Sequence, residues 1–418
     1  MSQCLMVYWD EHLVGELKLD AQRRFVFRYA SSWLASDRAQ PISLSLPLCD
    51  AVFDDDCARP FFSNLLPESE LRQQITRKLG LSEKNDFALL EAIGGECAGA
   101  ISLLPEGESL PKESGAYHEL TDNQLNQLIQ AIPTRPLLAG EAGIRLSLAG
   151  AQNKLPIRYR NGQVSLPYGR AASTHIIKPA ITHYESSVMN EWFCMRLAKL
   201  MDLPVPDVLI IGTETPVYCV ERYDRIIVTD EHVERLHQED FCQALGVAAD
   251  VKYEKEGGPS LRDCFGLIRS ASIQPAKDLN TALKWVVFNY LIGNADAHAK
   301  NIALLLTQQG PRLAPFYDLM CTAIYEGLSD RLAMKIGNED RPDWVIERRW
   351  NDMANDLEID YKLVRRLLAA MSHKITNVAA QLQDHCSSRY GSRDTIVQIN
   401  KVIAQRVTKV MRILEISE

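Results

Sequence analysis

The chain has 418 residues, of which 24% are charged and 46% hydrophobic, enough for two or three lobes with large cores. Glycine and proline account for only 22 and 19 positions, which excludes collagen-like, low-complexity and wholly disordered classes. The formal charge of −8 excludes a whole-molecule basic field that would attract nucleic acid or acidic membranes.

Ten cysteines are scattered without a Cys-x-x-Cys pair, so the sequence predicts neither a zinc site nor a disulfide scaffold. The first ten residues lack the basic start and long apolar stretch of a signal peptide. No window approaches 18 uninterrupted apolar residues. We therefore expect a cytoplasmic protein without a membrane partner.

The first third of the chain alternates between strand and helix patterns. Residues 61–80 and 86–93 are helical in pattern, and the polar, turn-rich stretch Ser109–Tyr117 is the first plausible boundary. Thr121 and Gln124 have the spacing of a helix capping box. The predicted strands are Leu5–Trp9, Leu13–Leu19, Phe25–Tyr29, Ile42–Leu48 and Gly99–Leu104.

The middle of the chain is again rich in strands, and Asn161-Gly162 predicts a tight hairpin turn. An amphipathic helix is predicted at Glu185–Met201, and beyond about residue 238 the pattern is helical except for one hairpin near 302–316. We predict three domains, 1–115, 116–235 and 236–418. The predicted strands of the middle domain are Ile144–Leu148, Leu155–Tyr159, Val164–Leu166, His175–Lys178, Pro204–Ile211 and Val217–Glu221.

One polar constellation stands at the end of a predicted helix. Gly293 suits a helix C-cap, and the Asp296–Asn301 loop and a hairpin follow, the hairpin leading to Asp318. Phosphoryl transfer requires a carboxylate to accept the proton of the attacking hydroxyl, and oxygen ligands for Mg²⁺. Asp296 suits the first role, and Asn301 and Asp318 suit the second. The alternative is that these are ordinary turn residues.

A kinase also requires a cation on the nucleotide phosphates. Lys178 ends a strand, and Glu191 on the following helix is a candidate ion-pair partner; the alternative is that both are solvated surface charges. The small residues of Ser147–Lys154 would let backbone N–H groups approach phosphate, unless this is a plain hairpin turn. Glu221–Tyr223 end a strand where a kinase places its adenine-binding hinge, or else form an edge strand with a charged turn.

Together these motifs resemble the HipA-type serine/threonine kinase toxins, the toxin halves of bacterial toxin–antitoxin pairs linked to persistence. The resemblance spans roughly residues 5–320. The segments that carry it are Trp33–Ser36, Pro41–Pro47, Phe61–Pro67, Ser147–Lys154, Thr174–Lys178, Asn190-Glu191, Val220–Arg225, Gln238–Asp240, Lys252–Glu254, Gly257–Pro259, Asp296–Asn301 and Phe316–Asp318.

This resemblance implies an α+β, two-lobed fold like that of protein and phosphoinositide kinases. It would have a β-rich N-terminal lobe, an extra N-terminal β subdomain and an all-helical C-terminal lobe, with ATP and Mg²⁺ as cofactors. Asp296 would be the catalytic base, and Asn301 and Asp318 the metal ligands. The implied ATP-binding residues are Ala149, Gly150, Ala151, Gln152, Asn153, Lys154, Lys178, Glu221, Arg222, Tyr223, His298, Lys300, Asn301, Tyr317 and Asp318.

The resemblance also implies regulation and partners. Ser147 matches an autophosphorylated serine, and a phosphate of about −1.5 to −2 charge there would expel its own loop from the ATP site. The substrate would be a serine of an aminoacyl-tRNA synthetase, notably the glutamyl enzyme. A HipB-like helix-turn-helix antitoxin would bind the toxin and carry it to operator DNA, hence to the nucleoid.

Two other functions stay open from the sequence. Aminoglycoside and phosphoinositide kinases share the Asp…Asn loop and the following metal-binding Asp, so the acceptor could be a small molecule. The chain could also be a catalytically silent co-repressor that binds only antitoxin and DNA. The intact triad of Asp296, Asn301 and Asp318 argues against a silent protein.

Overall fold

The computed structural model of the protein describes residues 3–108, 115–141, 145–212, 214–229, 232–387 and 393–415. Ile144 and residues 109–114 of the predicted boundary lie outside these ranges. The chain divides into two compact units. The first comprises Met1–Pro179, Ile210–Asp250 and Leu305–Gln308, and the second comprises Ala180–Leu209, Val251–Leu304 and Gln309–Glu418.

The helices and strands of the described residues follow in chain order. Up to residue 141 they are β1 Cys4–Trp9, β2 His12–Leu19, β3 Phe25–Tyr29, α1 Ser31–Leu34, α2 Asp55–Ser63, α3 Ser69–Leu79, α4 Asp86–Ile93, β4 Ile101–Pro105, β5 Ala116–Glu119, α5 Asp122–Ala131 and a 3₁₀ helix at Pro136–Leu138. Up to residue 250 they are β6 Leu155–Arg160, β7 Gln163–Tyr168, β8 His175–Lys178, α6 Ser187–Leu200, β9 Val208–Ile211, β10 Val217–Glu221, β11 Arg225–Ile227, β12 Val233–Arg235, β13 His237–Asp240 and α7 Phe241–Ala244. Beyond it they are α8 Leu261–Ala271, α9 Pro275–Ile292, β14 Ala303–Thr307, β15 Gly310–Leu313, α10 Glu347–Asp356, α11 Tyr361–Ser387, α12 Arg393–Glu415 and 3₁₀ helices at Glu254–Glu256, Ala299–Asn301, Thr322–Ile324 and Pro342–Trp344.

The N-terminal part of the first unit is an antiparallel sheet in the order β3-β2-β1-β4. Alternate strand residues such as Leu5, Val7 and Phe27 are buried in one apolar core together with residues of α2, α3 and α4. The predicted strands Leu5–Trp9, Leu13–Leu19, Phe25–Tyr29 and Gly99–Leu104 correspond to the four strands of this sheet. Burial alternates along them because successive strand residues face opposite sides of a sheet.

The prediction of a further strand at Ile42–Leu48 is wrong. The segment forms only an isolated bridge between Ser43 and Leu46. Its polar groups bond instead to the region around β13 and α7: the Leu44 N–H donates to the Glu239 carboxylate at 3.0 Å, and the Ser45 hydroxyl donates to the Gln243 carbonyl at 3.0 Å. Each of these bonds has a side chain on one side, the Glu239 carboxylate or the Ser45 hydroxyl, so neither is a backbone-to-backbone bond of a sheet.

The second sheet has the order β5-β7-β6-β8-β10-β9. Its β6–β7 hairpin closes through Asn161 and Gly162, whose φ angles of 48° and 85° lie in the left-handed region that this two-residue turn requires. The predicted turn is therefore confirmed. The capping box at Thr121 and Gln124 is also formed at the start of α5.

The second unit is mostly helical. Helix α9 is buried on nearly all sides and packs against α8, α11 and α12, as expected for a helix that is apolar around its circumference. The β14–β15 hairpin interrupts this helical region where the sequence predicted it. Among the described helices, none combines the length and the apolar character needed to span a bilayer.

Candidate active site

The loop that follows α9 is held by hydrogen bonds from its own and neighbouring side chains. Helix α9 ends at Gly293, whose φ of 73° gives the left-handed C-cap predicted from the sequence. The Asn294 side chain donates to Asn289 Oδ1 at 2.7 Å and accepts from the Asp296 N–H at 3.0 Å. The Thr322 hydroxyl accepts from the intervening amide of residue 295 at 2.7 Å. These bonds fix the backbone that carries Asp296.

The Asp296 carboxylate is 51% exposed, so a substrate hydroxyl can approach it. Its Oδ1 accepts a hydrogen bond from the Tyr253 hydroxyl at 2.7 Å and lies 3.9 Å from His298 Nε2. His298 itself is only 4% exposed and packs edge-on against the Tyr253 ring at 5.2 Å. A general base must be reachable and oriented, and Asp296 meets both conditions.

Asn301 closes the same loop. Its Nδ2 donates to the Asp296 carbonyl at 2.9 Å, which turns the side-chain oxygen away from that carbonyl. Tyr317, which precedes Asp318, donates its hydroxyl to the Lys300 carbonyl at 2.7 Å. The predicted loop and the segment after the hairpin are therefore tied together next to Asn301 and Asp318.

The donor set of this region fits Mg²⁺. Mg²⁺ prefers carboxylate and carbonyl oxygens, which Asp318 and the Asn301 amide supply. Asp318 has a φ of 59°, in the left-handed region that non-glycine residues seldom adopt. Bound there, Mg²⁺ would neutralise developing charge on the ATP phosphates.

The predicted phosphate loop lies in the first unit, against the N-terminal part of the chain. Gly150 forms an isolated parallel β-bridge with Pro67, and the Glu68 N–H donates to the Gly150 carbonyl at 3.1 Å. Gly150 has a φ of 101°, and a side chain there would meet Lys154 Nζ. Lys154 folds back onto the loop and donates to the Ala149 carbonyl at 2.6 Å. The backbone conformation of residue 150 thus favours glycine.

The rest of this loop is partly exposed. Ala151 is exposed, and Gln152 donates to the Pro179 carbonyl at 3.4 Å. The Asn153 side-chain oxygen is buried and has no hydrogen-bond partner among the described residues. A buried polar oxygen without a partner is costly unless a ligand or water satisfies it, so Asn153 agrees with a ligand-binding loop.

Ser147, at the start of the loop, is fully buried. Its hydroxyl donates to the Leu65 carbonyl at 2.7 Å, and its N–H donates to the Glu96 carbonyl at 2.8 Å. Both partners belong to the N-terminal part of the chain. A kinase can reach this hydroxyl only after the loop leaves these contacts.

Lys178 is 8% exposed on β8, directly opposite Tyr218 of β10. Its Nζ lies 5.6 Å from the centroid of the Tyr218 ring, within the range of a cation–π contact. The alternative of a solvated surface lysine does not agree with this burial. Glu191 is 1% exposed on α6, in the other unit, and its pairing with Lys178 stays a prediction.

At the proposed hinge, Arg222 forms hydrogen bonds and ion pairs with other residues of the protein. Its N–H donates to the Thr174 carbonyl at 2.9 Å, and its guanidinium binds Asp224 at 2.8 Å and Glu96 at 3.3 Å. Glu221 pairs with His175 at the end of β10. The N–H and the guanidinium of Arg222 are therefore both occupied by protein partners.

Arg222 belongs to a buried ionic cluster that we define as Glu96, Ser173, Arg222, Asp224 and Arg225. Every member is less than 10% exposed. Burial would raise the pKa values of Glu96 and Asp224, but the guanidinium groups of Arg222 and Arg225 outweigh it and lower both. The cluster thus holds two carboxylates ionised between two arginines, and it connects the segment after α4 to the end of β10.

Comparison with known proteins identifies the chain. Residues 5–104 match the family model of the HipA N-terminal domain, and residues 146–380 match that of the HipA-like C-terminal domain. The chain belongs to the HipA family. The resemblance predicted from the sequence is confirmed, and so is the kinase-like α+β fold class.

HipA-family relatives cover nearly the whole chain. The putative kinase Y4mE of Sinorhizobium fredii is 41% identical over 392 residues, covering 92% of this chain and 93% of that protein. The serine/threonine-protein kinase toxin HipA of Shewanella oneidensis is 33% identical over 394 residues, covering 90% and 89%. The solved complex of the Shewanella oneidensis MR-1 toxin–antitoxin system, HipA, HipB and operator DNA, matches with a TM-score of 0.87 at 30% identity over 98% of each chain. The chain is therefore a HipA-like kinase of the toxin–antitoxin type.

Two residues described above, Tyr253 and Glu96, received no role from the sequence alone. Tyr253 was noticed only as part of a motif and received no role, although its hydroxyl contacts Asp296. Glu96 was not singled out at all, because its partners Arg222 and Arg225 lie more than 120 residues further along the chain. Pairs so distant leave no periodic or spacing signal in one sequence.

Proposed function

We propose that the protein transfers the γ-phosphate of ATP to a serine of a protein needed for translation, with glutamyl-tRNA synthetase as the expected substrate. Growth arrest and persistence would follow from the loss of charged tRNA. The observation that carries the proposal is the Asp296 carboxylate, which is 51% exposed on a loop fixed by side-chain hydrogen bonds. The kinases among the HipA-family relatives support it.

In this proposal Asp296 orients the substrate serine and accepts its proton. Asn301 and Asp318 hold Mg²⁺, and Lys178 and the Ala149–Lys154 loop bind the ATP phosphates. His298 and Lys300 contribute positive charge or hydrogen bonds near the phosphates, and Tyr317 positions Asp318. The backbone of Glu221–Tyr223 reads adenine.

Self-limitation through Ser147 forms the regulatory part of the proposal. A phosphate on Ser147 cannot fit where its hydroxyl bonds Leu65, because the site is fully buried. A group of about −2 charge would also be repelled by ATP. The loop would therefore stay outside its contacts after modification, and the kinase would turn itself off.

We further propose that a HipB-like helix-turn-helix antitoxin binds this protein and brings it to operator DNA at the nucleoid. The support is the match to the Shewanella complex of HipA, HipB and operator DNA. The net charge of −8 agrees with DNA contact through a partner.

Incubation with Mg–ATP carrying a labelled γ-phosphate tests the catalytic proposal. We expect label on the chain itself and on added glutamyl-tRNA synthetase, and transfer about 100- to 10,000-fold slower with the Asp296→Asn variant. The exposed carboxylate contributes little to the core, so this variant should keep the wild-type melting temperature and ATP affinity. ATP binding without any transfer by the wild type would refute kinase activity and favour a silent co-repressor. Transfer to small-molecule acceptors alone would favour the alternative kinase class.

A further inference from the structure

The contact between Tyr253 and Asp296 has a consequence for catalysis. A carboxylate has two equivalent oxygens, and its terminal torsion is soft, so a free Asp296 would rotate between many orientations. The Tyr253 hydroxyl holds Oδ1 at 2.7 Å, and the His298 ring lies on the same side at 3.9 Å. Oδ2 is then the oxygen presented to an incoming hydroxyl.

Tyr253 is itself held in place from several sides. The Gly258 N–H donates to the Tyr253 carbonyl at 2.9 Å, in a tight loop where a side chain at Gly258 would collide with the Val251 carbonyl. The next residue, Glu254, accepts from the Lys335 N–H at 2.6 Å and forms an ion pair with its Nζ at 3.5 Å. The backbone that carries the phenol is therefore held in place.

The phenol ring also contacts its surroundings independently of the hydroxyl. It packs edge-on against His298 at 5.2 Å, and the ammonium groups of Lys252 and Lys255 lie 5.4 and 5.6 Å from its centroid. Replacement by phenylalanine keeps this ring and removes only the donor. The role of the hydroxyl can thus be separated from that of the ring.

We infer that Tyr253 is a positioning residue, which fixes the Asp296 carboxylate so that Oδ2 accepts the proton of the substrate serine. This inference rests on the proposed function, in which Asp296 is the base. Misplacement of a catalytic group by about 1 Å can cost about 100-fold in rate. Loss of the anchor should therefore lower kcat and leave nucleotide binding unchanged.

The test compares Tyr253→Phe with wild type in labelled phosphate transfer, with KM for ATP and the Kd of Mg–ATP measured in parallel. Tyr361→Phe is the matched control, since it also removes a phenol–carboxylate bond, to Glu347 at 3.3 Å. We expect kcat to fall about 10- to 100-fold in Tyr253→Phe, with KM, Kd and melting temperature within error, and no change in Tyr361→Phe.

A double-mutant cycle tests whether Tyr253 affects the rate through the Asp296 carboxylate. Once Asp296→Asn has removed the carboxylate, adding Tyr253→Phe should cause no further loss in single-turnover rate. A wild-type kcat for Tyr253→Phe, or losses that multiply in the double variant, would overturn the inference while leaving the kinase assignment intact. Failure of the proposed function has a different signature: the wild type binds Mg–ATP and transfers nothing, which removes the role of Asp296 and this inference together.

Discussion

Replacing Glu96 by glutamine should strongly destabilise the first unit. Oε1 of Glu96 accepts from the Ser173 hydroxyl at 2.8 Å and from the guanidinium groups of Arg222 and Arg225 at 3.3 and 3.2 Å. The neutral amide keeps the size of the side chain but leaves two buried arginines with the single carboxylate of Asp224. Removing one partner from a buried ion pair costs about 3–5 kcal/mol, and we expect about 3 because Asp224 remains.

Urea unfolding followed by tryptophan fluorescence measures this loss, and hydrogen exchange of the peptide around residue 96 localises it. Asp50→Asn is the control, because the Arg28–Asp50 pair is 55% and 70% exposed and should change nothing measurable. The folded pKa of Glu96 is lowered, so its contribution is fully present above the unfolded pKa of about 4.3 and decreases progressively as the pH falls from there through the folded pKa. A loss below about 1 kcal/mol at pH 7, or one that persists unchanged at pH 3, would refute the electrostatic reasoning.

Three further predictions concern the phosphate loop, the phosphate cation and a buried acid. Ser147→Ala should lose autophosphorylation at this position and keep phosphate transfer to the substrate. Phosphopeptide maps of the wild type that show label elsewhere and none on Ser147 would contradict the proposed self-limitation. Lys178→Met should raise the Kd of ATP roughly tenfold by calorimetry, and an unchanged Kd would exclude a phosphate contact. Burial raises the pKa of Glu239 to about 8, so the folded state binds this proton more tightly than the unfolded state and stability should fall as the pH rises from about 5 to 8. Glu239→Gln should flatten that slope in urea midpoints measured across the range, and an unaltered slope would assign it to other groups.

The part of the site that the sequence predicted is the part built from neighbours along the chain. Gly293, Asp296 and Asn301 lie within nine residues. The helix before them and the hairpin after them can be predicted from local hydrophobic patterns. The turn at Asn161-Gly162 was predictable for the same reason, since its backbone conformation requires those residue types.

Features that depend on distant partners were not predictable in this way. The alternating apolar residues of Ile42–Leu48 indicated a strand, but the pattern carries no information about whether a neighbouring strand exists. The Leu44 N–H donates instead to the carboxyl group of Glu239, nearly 200 residues away. Likewise, Tyr253 precedes Asp296 by 43 residues, and only the fold brings the two side chains together.

The contacts of Ser147 and Gly150 indicate where this kinase can be truncated. The partners of these two residues are Leu65, Pro67, Glu68 and the backbone of Glu96, which all come from the first hundred residues and hold one side of the predicted phosphate loop. A truncated protein that begins at about residue 116 would lose every one of these supports. The amino-terminal extension is therefore a structural support of the predicted phosphate loop, and a fragment designed to keep that loop in place has to retain it.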